Sequence, residues 1–242
     1  MADRELLVEL TGVSKDYRAL RPLRIHRLEL RAGQSIALLG VDAAMSEVLV
    51  NLITGAQLPD EGEIRVFGRA TASITAVDEW VTELDRFGLI SDRAVLVEQF
   101  TAEQNLALPI SLDIEVMPPG AREEVRRLAA EVGLSAETMA RPTSALAPTD
   151  QLRLRLGRAL ALRPRVLLAE YPNALLSRQE SPSFARDLRR ISHDRGLAAL
   201  VMTADPTFAG AAADTVVELQ PATGVLNRRS GLQRWFSSRN KT

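Results

Sequence analysis

Leu38-Leu39-Gly40-Val41-Asp42-Ala43-Ala44-Met45-Ser46-Glu47 is the stretch on which the fold turns. An apolar run, Ser35 to Leu39, leads into it as a short strand. Out of it runs a segment, Met45 to Thr54, with apolar residues at helical spacing, ending at Gly55, a natural C-cap. Strand, short loop and helix in that order are the setting of a P-loop, whose backbone N–H groups and helix N-terminus cradle phosphate. Such a loop needs glycines so the backbone can close on the phosphates, a lysine to reach the β and γ oxygens, and a Ser or Thr for Mg²⁺. The run from Gly40 to Glu47 keeps the setting and lacks that chemistry.

Working outward, Leu6 to Leu10 and Ile25 to Leu30 read as short strands, and Glu63 to Phe67 as another, closed by Gly68. Val77 to Arg86 reads as a helix with Val77, Trp80, Val81 and Leu84 on one apolar side. From Asp92 to Leu162 the pattern is almost wholly helical, broken by Pro109, Pro118, Pro119, Pro142 and Pro148, which is the look of a helical insertion. Val166 to Ala169 and Ala198 to Thr203 are continuous apolar runs, the mark of parallel strands buried on both faces, with a helix from about Pro182 to Arg195 between them. Val216 to Leu219 and Gly224 to Leu226 close the ordered part. Strands alternating with helices on either side of a helix-rich middle predict an α/β sandwich with an inserted helical subdomain.

Composition narrows the function. Hydrophobic residues make up 46% and charged residues 25% of the 242, as in ordinary globular proteins, so disorder is excluded as the main state. A formal net charge of −1 supplies no global field toward nucleic acid, and no nucleic-acid partner is expected. With no Cys, thiolate zinc sites, iron–sulfur clusters and cysteine nucleophiles are all excluded; with only His26 and His193, so is a multi-histidine metal centre. The apolar stretches are far shorter than the roughly 20 residues of a membrane helix. Met1 to Glu5 carries two acidic residues ahead of any apolar run, unlike a secretory signal. The expected location is cytoplasmic, with any contact to the inner face of a membrane made through a partner.

With the flanking segments included, residues 5 to 228 resemble the ATP-hydrolysing subunits of ABC transporters, particularly the lipoprotein-release, macrolide-export and cell-division type. Val13-Ser14-Lys15-Asp16-Tyr17 is similar to the segment whose aromatic residue stacks on adenine. Leu58 to Ile64 with Gly68, and Phe100 to Pro109, resemble the turn and strand after the first helix and the segment after the glutamine loop. Arg153, Gly157-Arg158-Ala159-Leu160 and Pro164 resemble the helix after the LSGGQ motif, and Leu167-Leu168-Ala169 with Pro172 the Walker B strand. The resemblance implies a P-loop NTPase (RecA-like) core of ABC ATPase type, with an antiparallel β portion and a helical subdomain. Its expected partition is 1–91 and 162–228 for the core, 92–161 for the helical part and 229–242 for a basic tail.

Carried over residue by residue, the residues that shape the fold match and those that handle phosphate do not. The P-loop lysine falls on Ser46, its Mg²⁺-binding hydroxyl on Glu47, and the second and third glycines on Ala43 and Met45. The loop glutamine falls on Asp92, the Walker B aspartate on Glu170, the catalytic glutamate on Tyr171, the switch histidine on Ala204 and the D-loop aspartate on Ser177. In the LSGGQ motif Leu146 matches, but Ala147, Pro148, Thr149 and Asp150 replace the rest. The implied nucleotide-binding positions are thus Tyr17, Gly40, Val41, Asp42, Ala43, Ala44, Met45, Ser46 and Glu47, with no catalytic residue and no metal ligand assigned.

The expectation is a pseudo-ATPase that requires no cofactor and binds ATP and Mg²⁺ weakly. It would serve as scaffold or regulator beside a transmembrane permease subunit, as a homodimer or a heterodimer with another ABC ATPase. Glu47, placed at the start of its helix, would interact with the helix dipole in place of a phosphate. Two alternatives stand beside it: an ATPase in which Glu47 and Glu170 hold Mg²⁺ and Tyr17 the adenine, and a soluble interaction protein without a transporter. Plainer roles are a packing role for Tyr17, a turn role for Asp42, helix capping by Glu170 and by His193-Asp194, and a frayed end for the basic stretch Arg228 to Lys241 with Trp235-Phe236, which otherwise suits anionic lipid.

Overall fold

The computed structural model describes residues 4–111, 113 and 117–229, so the tail with Trp235-Phe236 lies outside the described residues. In chain order it begins with β1 (Leu6–Lys15), β2 (Leu23–Arg31), β3 (Ser35–Leu39), α1 (Ala43–Ile53), β4 (Glu61–Val66), β5 (Arg69–Ala70), α2 (Val77–Leu84) and β6 (Phe87–Ile90). Four helices follow, α3 (Ala102–Ala107), α4 (Pro119–Val132), α5 (Ala136–Met139) and α6 (Pro148–Leu160). The chain then returns through β7 (Val166–Glu170), α7 (Ser181–Asp194), β8 (Ala198–Met202), α8 (Pro206–Ala212), β9 (Thr215–Gln220) and β10 (Val225–Arg228).

Two sheets form, a four-stranded antiparallel one in the order β2-β1-β4-β5 and a six-stranded one in the order β10-β9-β3-β8-β7-β6. The second is parallel apart from the β9–β10 hairpin. Its central strands are apolar on both faces because each face has its own core. Ile36 and Leu38 of β3, Val166 and Leu168 of β7, and Leu200 and Met202 of β8 join α1 and the antiparallel sheet. The alternate residues, Ala37, Leu39, Leu167, Ala169, Ala199 and Val201, join helices α3, α4, α6, α7 and α8. The period-2 alternation of strand side chains thus becomes a division between two cores.

Several elements differ from the sequence expectations. β1 runs on to Lys15, because Leu10 and Val13 stay buried across a register shift in its pairing with β4. β6 hides in the short run after Arg86; α6 packs so closely on it that a Cβ on Gly88 would lie 2.5 Å from the Ala159 carbonyl oxygen. α8, seven residues with Gly210 in its interior, is too short to show a helical period, and it forms because Phe208, Ala209 and Ala212 are buried and Asp205 caps its start, accepting from Thr207 N at 2.8 Å. The apolar side read for the helix at Val77 is not a buried face: Val77 is 73% and Val81 48% exposed, and α2 is tied down by Trp80, whose Nε1 donates to the Thr54 carbonyl at 3.0 Å. His193 and Asp194 do end α7, ahead of the left-handed Gly196 (φ +64°).

Candidate functional site

The loop between β3 and α1 is shorter than its sequence suggests. α1 starts at Ala43, so only Gly40, Val41 and Asp42 connect it to the strand. Gly40 has φ +80°, and a Cβ there would run into the carbonyl oxygen of Leu219 in β9. Asp42 is the N-cap: its Oδ1 accepts from Met45 N at 2.7 Å, and its carbonyl accepts from Ser46 N and Ser46 Oγ, both at 2.9 Å. Ser46 is fully buried and turned back toward the loop, and Met45 is buried beside it, whereas Ala43 and Ala44 are exposed. A carboxylate already sits where helix N–H groups would meet a phosphate. That carboxylate is Asp42; Glu47 lies beyond the first turn, where the dipole has fallen off, and points its carboxylate at Arg93 at 3.3 Å instead.

The end of β7 faces this loop. Glu170, with its side chain only 10% exposed, accepts from Ser91 Oγ at 2.7 Å and forms a two-pronged ion pair with Arg93, through Nη2 and, at 3.4 Å, through Nε. It caps no helix. Arg93 Nη1 also donates to Asn51 Oδ1 at 3.3 Å, so one guanidinium ties α1, β7 and the loop after β6 together. Asp92, placed by the family pattern near the phosphates, instead points outward, 71% exposed and 3.9 Å from Arg155. Arg93 escaped the sequence reading because a lone arginine after a four-residue strand carries no periodic signal; which of two neighbouring loop residues turns inward depends on backbone geometry alone.

Tyr171 follows Glu170 in a left-handed conformation (φ +45°), with its N–H bonded to the Met202 carbonyl at 2.9 Å. This backbone turn aims its phenol across the gap, where its hydroxyl donates to the carbonyl of Val41. Burial, and then the negative charge of Asp42, push the phenol above its usual range, so the group is a proton donor and a poor base. Tyr17 is displaced in the same direction by the same two causes and packs against the core between the sheets. A cavity of only about 20 Å³, on the order of one water, lies between Ser91, Glu170, Tyr171 and the start of α6.

At the position of the LSGGQ motif, Leu146 is buried and α6 opens at Pro148, whose ring removes one backbone N–H; Ala147, its N-cap, supplies no side-chain bond. Thr149 donates to Glu180, which also accepts from Ser177 Oγ at 2.6 Å, so the signature-motif and D-loop positions are bound to each other within the chain. Ala204 is exposed, and the neighbouring Asp205 is used in capping α8. Among the described residues no group of three or more His, Cys, Asp or Glu side chains could hold a metal ion. A further cavity, about 750 Å³, lies between α7 and α8, lined by residues that include Ser35, Arg189, His193 and Pro206.

A parallel sheet carrying a strand–loop–helix turn at β3–α1, an antiparallel sheet beside it and a helical insertion between β6 and β7 together define an ATP-binding cassette. The chain belongs to the ABC transporter family, whose description "ABC transporter" matches residues 23–174, and within it to the ATP-binding subunits. It is 32% identical over 232 residues to the lipoprotein-releasing system ATP-binding protein LolD of Anaeromyxobacter dehalogenans, a match spanning 93% of this chain and 96% of that one. The macrolide export ATP-binding/permease protein MacB of Salmonella typhimurium is 30% identical over 226 residues; the match covers 91% of this chain but only 34% of that longer protein. In fold, the chain matches the dimeric bacterial ABC transporter cassette MJ0796 with a TM-score of 0.77 at 19% identity, over 93% of this chain and 100% of that one. A second structure of that cassette is described as bound to ADP and Pi (TM-score 0.76, 20% identity, over 93% and 100%). The fold class implied by the resemblance is therefore the fold observed.

Proposed function

We propose that this chain is a cassette subunit that does not hydrolyse ATP and serves a membrane transport complex as a scaffold or regulator. The single observation that carries this reading is the contact of the Tyr171 hydroxyl with the Val41 carbonyl, which closes the phosphate side of the cassette with the protein's own groups. Nucleotide fits poorly by the chemistry of the residues as well. Each charge-assisted contact to phosphate is worth about 1.5–3 kcal/mol, and at the lysine position the buried Ser46 supplies none. A carboxylate about 4 Å from a phosphate costs on the order of 1–4 kcal/mol, and Asp42 already takes the helix N-terminus. Hydrolysis would further lack a base, since Tyr171 holds its proton at neutral pH.

The expected partners follow from the relatives. One is described as part of a lipoprotein-releasing system, another combines ATP-binding and permease functions in one protein, and a structural neighbour is described as dimeric. By analogy this chain sits at the cytoplasmic face of a membrane on a permease subunit, alone or paired with a second cassette; no helix among the described residues is long and apolar enough to cross a membrane. The docking face would lie near Asp92 and the helices after it, where a groove of about 190 Å³ is lined by Phe87 and Leu89 of β6 together with Ala94, Pro109, Arg155 and Arg158.

The test is thermal unfolding with and without Mg-ATP, followed by an ATP-turnover assay. A ligand at a hundred times its Kd adds about 2.7 kcal/mol, which for a chain this long is roughly 5–11 °C in Tm. No shift at millimolar Mg-ATP and no turnover are expected. A shift of several degrees, or turnover that Tyr171→Phe changes, would overturn the proposal.

A further inference from the structure

The family pattern implies a divalent cation beside the nucleotide, with Glu47 and Glu170 at two of its positions, and this chain's residues do not fit one as they stand. Glu47, Asn51, Ser91 and Glu170 make an oxygen-only donor set, the kind a hard divalent cation takes, but its centre is occupied from within. Arg93 Nη1 lies 3.3 Å from Glu47 Oε1 and 3.3 Å from Asn51 Oδ1, while its Nε and Nη2 face the two oxygens of Glu170. Ser91 Oγ completes the cluster, donating to Glu170 at 2.7 Å and accepting from the Arg93 N–H at 3.1 Å. Those oxygens come from α1, from the loop after β6 and from the end of β7, elements brought together only by the tertiary fold.

We propose that the Arg93 guanidinium is the resident cation of this site. A planar donor fork satisfies carboxylates bidentately, and it is covalently part of the chain, so it does not leave the site as a bound ion can. It holds α1, β7 and the loop after β6 in one fixed arrangement, whereas a metal would do so only while bound. The cassette is thereby independent of Mg²⁺ for the geometry of its own site. This deepens the reading of a non-hydrolysing cassette and rests on it.

The test is Mn²⁺ binding, followed as loss of the free-ion signal in electron paramagnetic resonance, on the full chain with no nucleotide in any sample. Failure here is thus separable from failure of the ATP experiments. The wild type is expected to leave Mn²⁺ free, whereas Arg93→Ala, with the oxygens uncovered, binds about one ion with affinity raised on the order of tenfold or more. Arg93→Ala combined with Glu170→Gln loses that gain. Arg93→Gln, neutral but close in length, serves if the alanine variant does not fold, as judged by circular dichroism. The proposal is overturned if the wild type binds Mn²⁺ as well as the variant. It is equally overturned if a folded Arg93 variant leaves the ion free, or if the double variant binds as tightly as the single one.

Discussion

Gly40 separates two explanations for a glycine at the head of a phosphate loop. On the functional explanation it leaves room for a ligand, and an alanine would cost little in a protein that binds none. The structure gives a different reason. At φ +80° an alanine pays about 1–2 kcal/mol for the left-handed backbone. Its Cβ would also collide with the Leu219 carbonyl oxygen and come within 3.2 Å of the Leu219 nitrogen and 3.3 Å of its carbonyl carbon. All three are backbone atoms of β9, which pairs with β3 from Thr215 to Glu218, so relief requires a shift of one strand against the other. Overpacking of this kind adds about 1–3 kcal/mol, giving about 2–5 kcal/mol in total for Gly40→Ala. Gly68→Ala is the internal control: its φ is +83°, but nothing lies within 4 Å of its Cβ, so only the backbone cost of about 1–2 kcal/mol applies. Urea unfolding of the two variants, compared at equal m-value, reads the difference directly. Equal losses of stability would show that contact with β9 contributes nothing and refute the reasoning.

Two other perturbations probe the closed loop. Asp42→Ala removes the cap on Met45 N and should lower stability by about 1 kcal/mol in urea unfolding, whereas Asp42→Asn keeps an acceptor and loses only part of that; equal losses in the two would rule out a capping role. Tyr171 has a phenol raised above its unfolded value by burial and by Asp42, so its contribution is complete below pH 10 and fades as pH climbs through the higher folded pKa. Stability measured from pH 8 to 11 should therefore fall less steeply at the alkaline end in Tyr171→Phe than in the wild type, and parallel curves would count against the contact between the phenol and Val41.

The apolar runs of the sequence were sufficient to identify the central strands, because a strand buried on both faces must be apolar at every position, and Val166–Ala169 and Ala198–Met202 are. The succession of strand, short loop and helix at Gly40 was legible for a similar reason, since an apolar run followed by helical spacing leaves a local trace; the start of the helix at Ala43 and the cap by Asp42 were not, the spacing having placed the start near Met45. β6 and α8 left none. Four residues are too few for a period, and seven give α8 only about two turns, which burial of Phe208, Ala209 and Ala212 fixes in place. The spacing of Val77, Trp80, Val81 and Leu84 marked a helix correctly, yet could not say whether a neighbour would cover that side.

At the site the division is sharper. Residue identities alone show that Ser46, Glu47 and Tyr171 carry no positive charge, since charge and proton affinity belong to the side chain itself. What those groups do instead depends on distances between segments far apart in the chain. Asp42 rather than Glu47 meets the helix N-terminus because α1 starts at Ala43, and Arg93 rather than Asp92 turns inward because of the path the backbone takes out of β6. Arg93 and Glu170 are 77 residues apart, and Tyr171 and Val41 130 apart. Electrostatic and hydrogen-bond energies fall off with distance in space and are blind to separation in sequence, so only the folded chain could decide which carboxylate, which cation and which hydroxyl would meet.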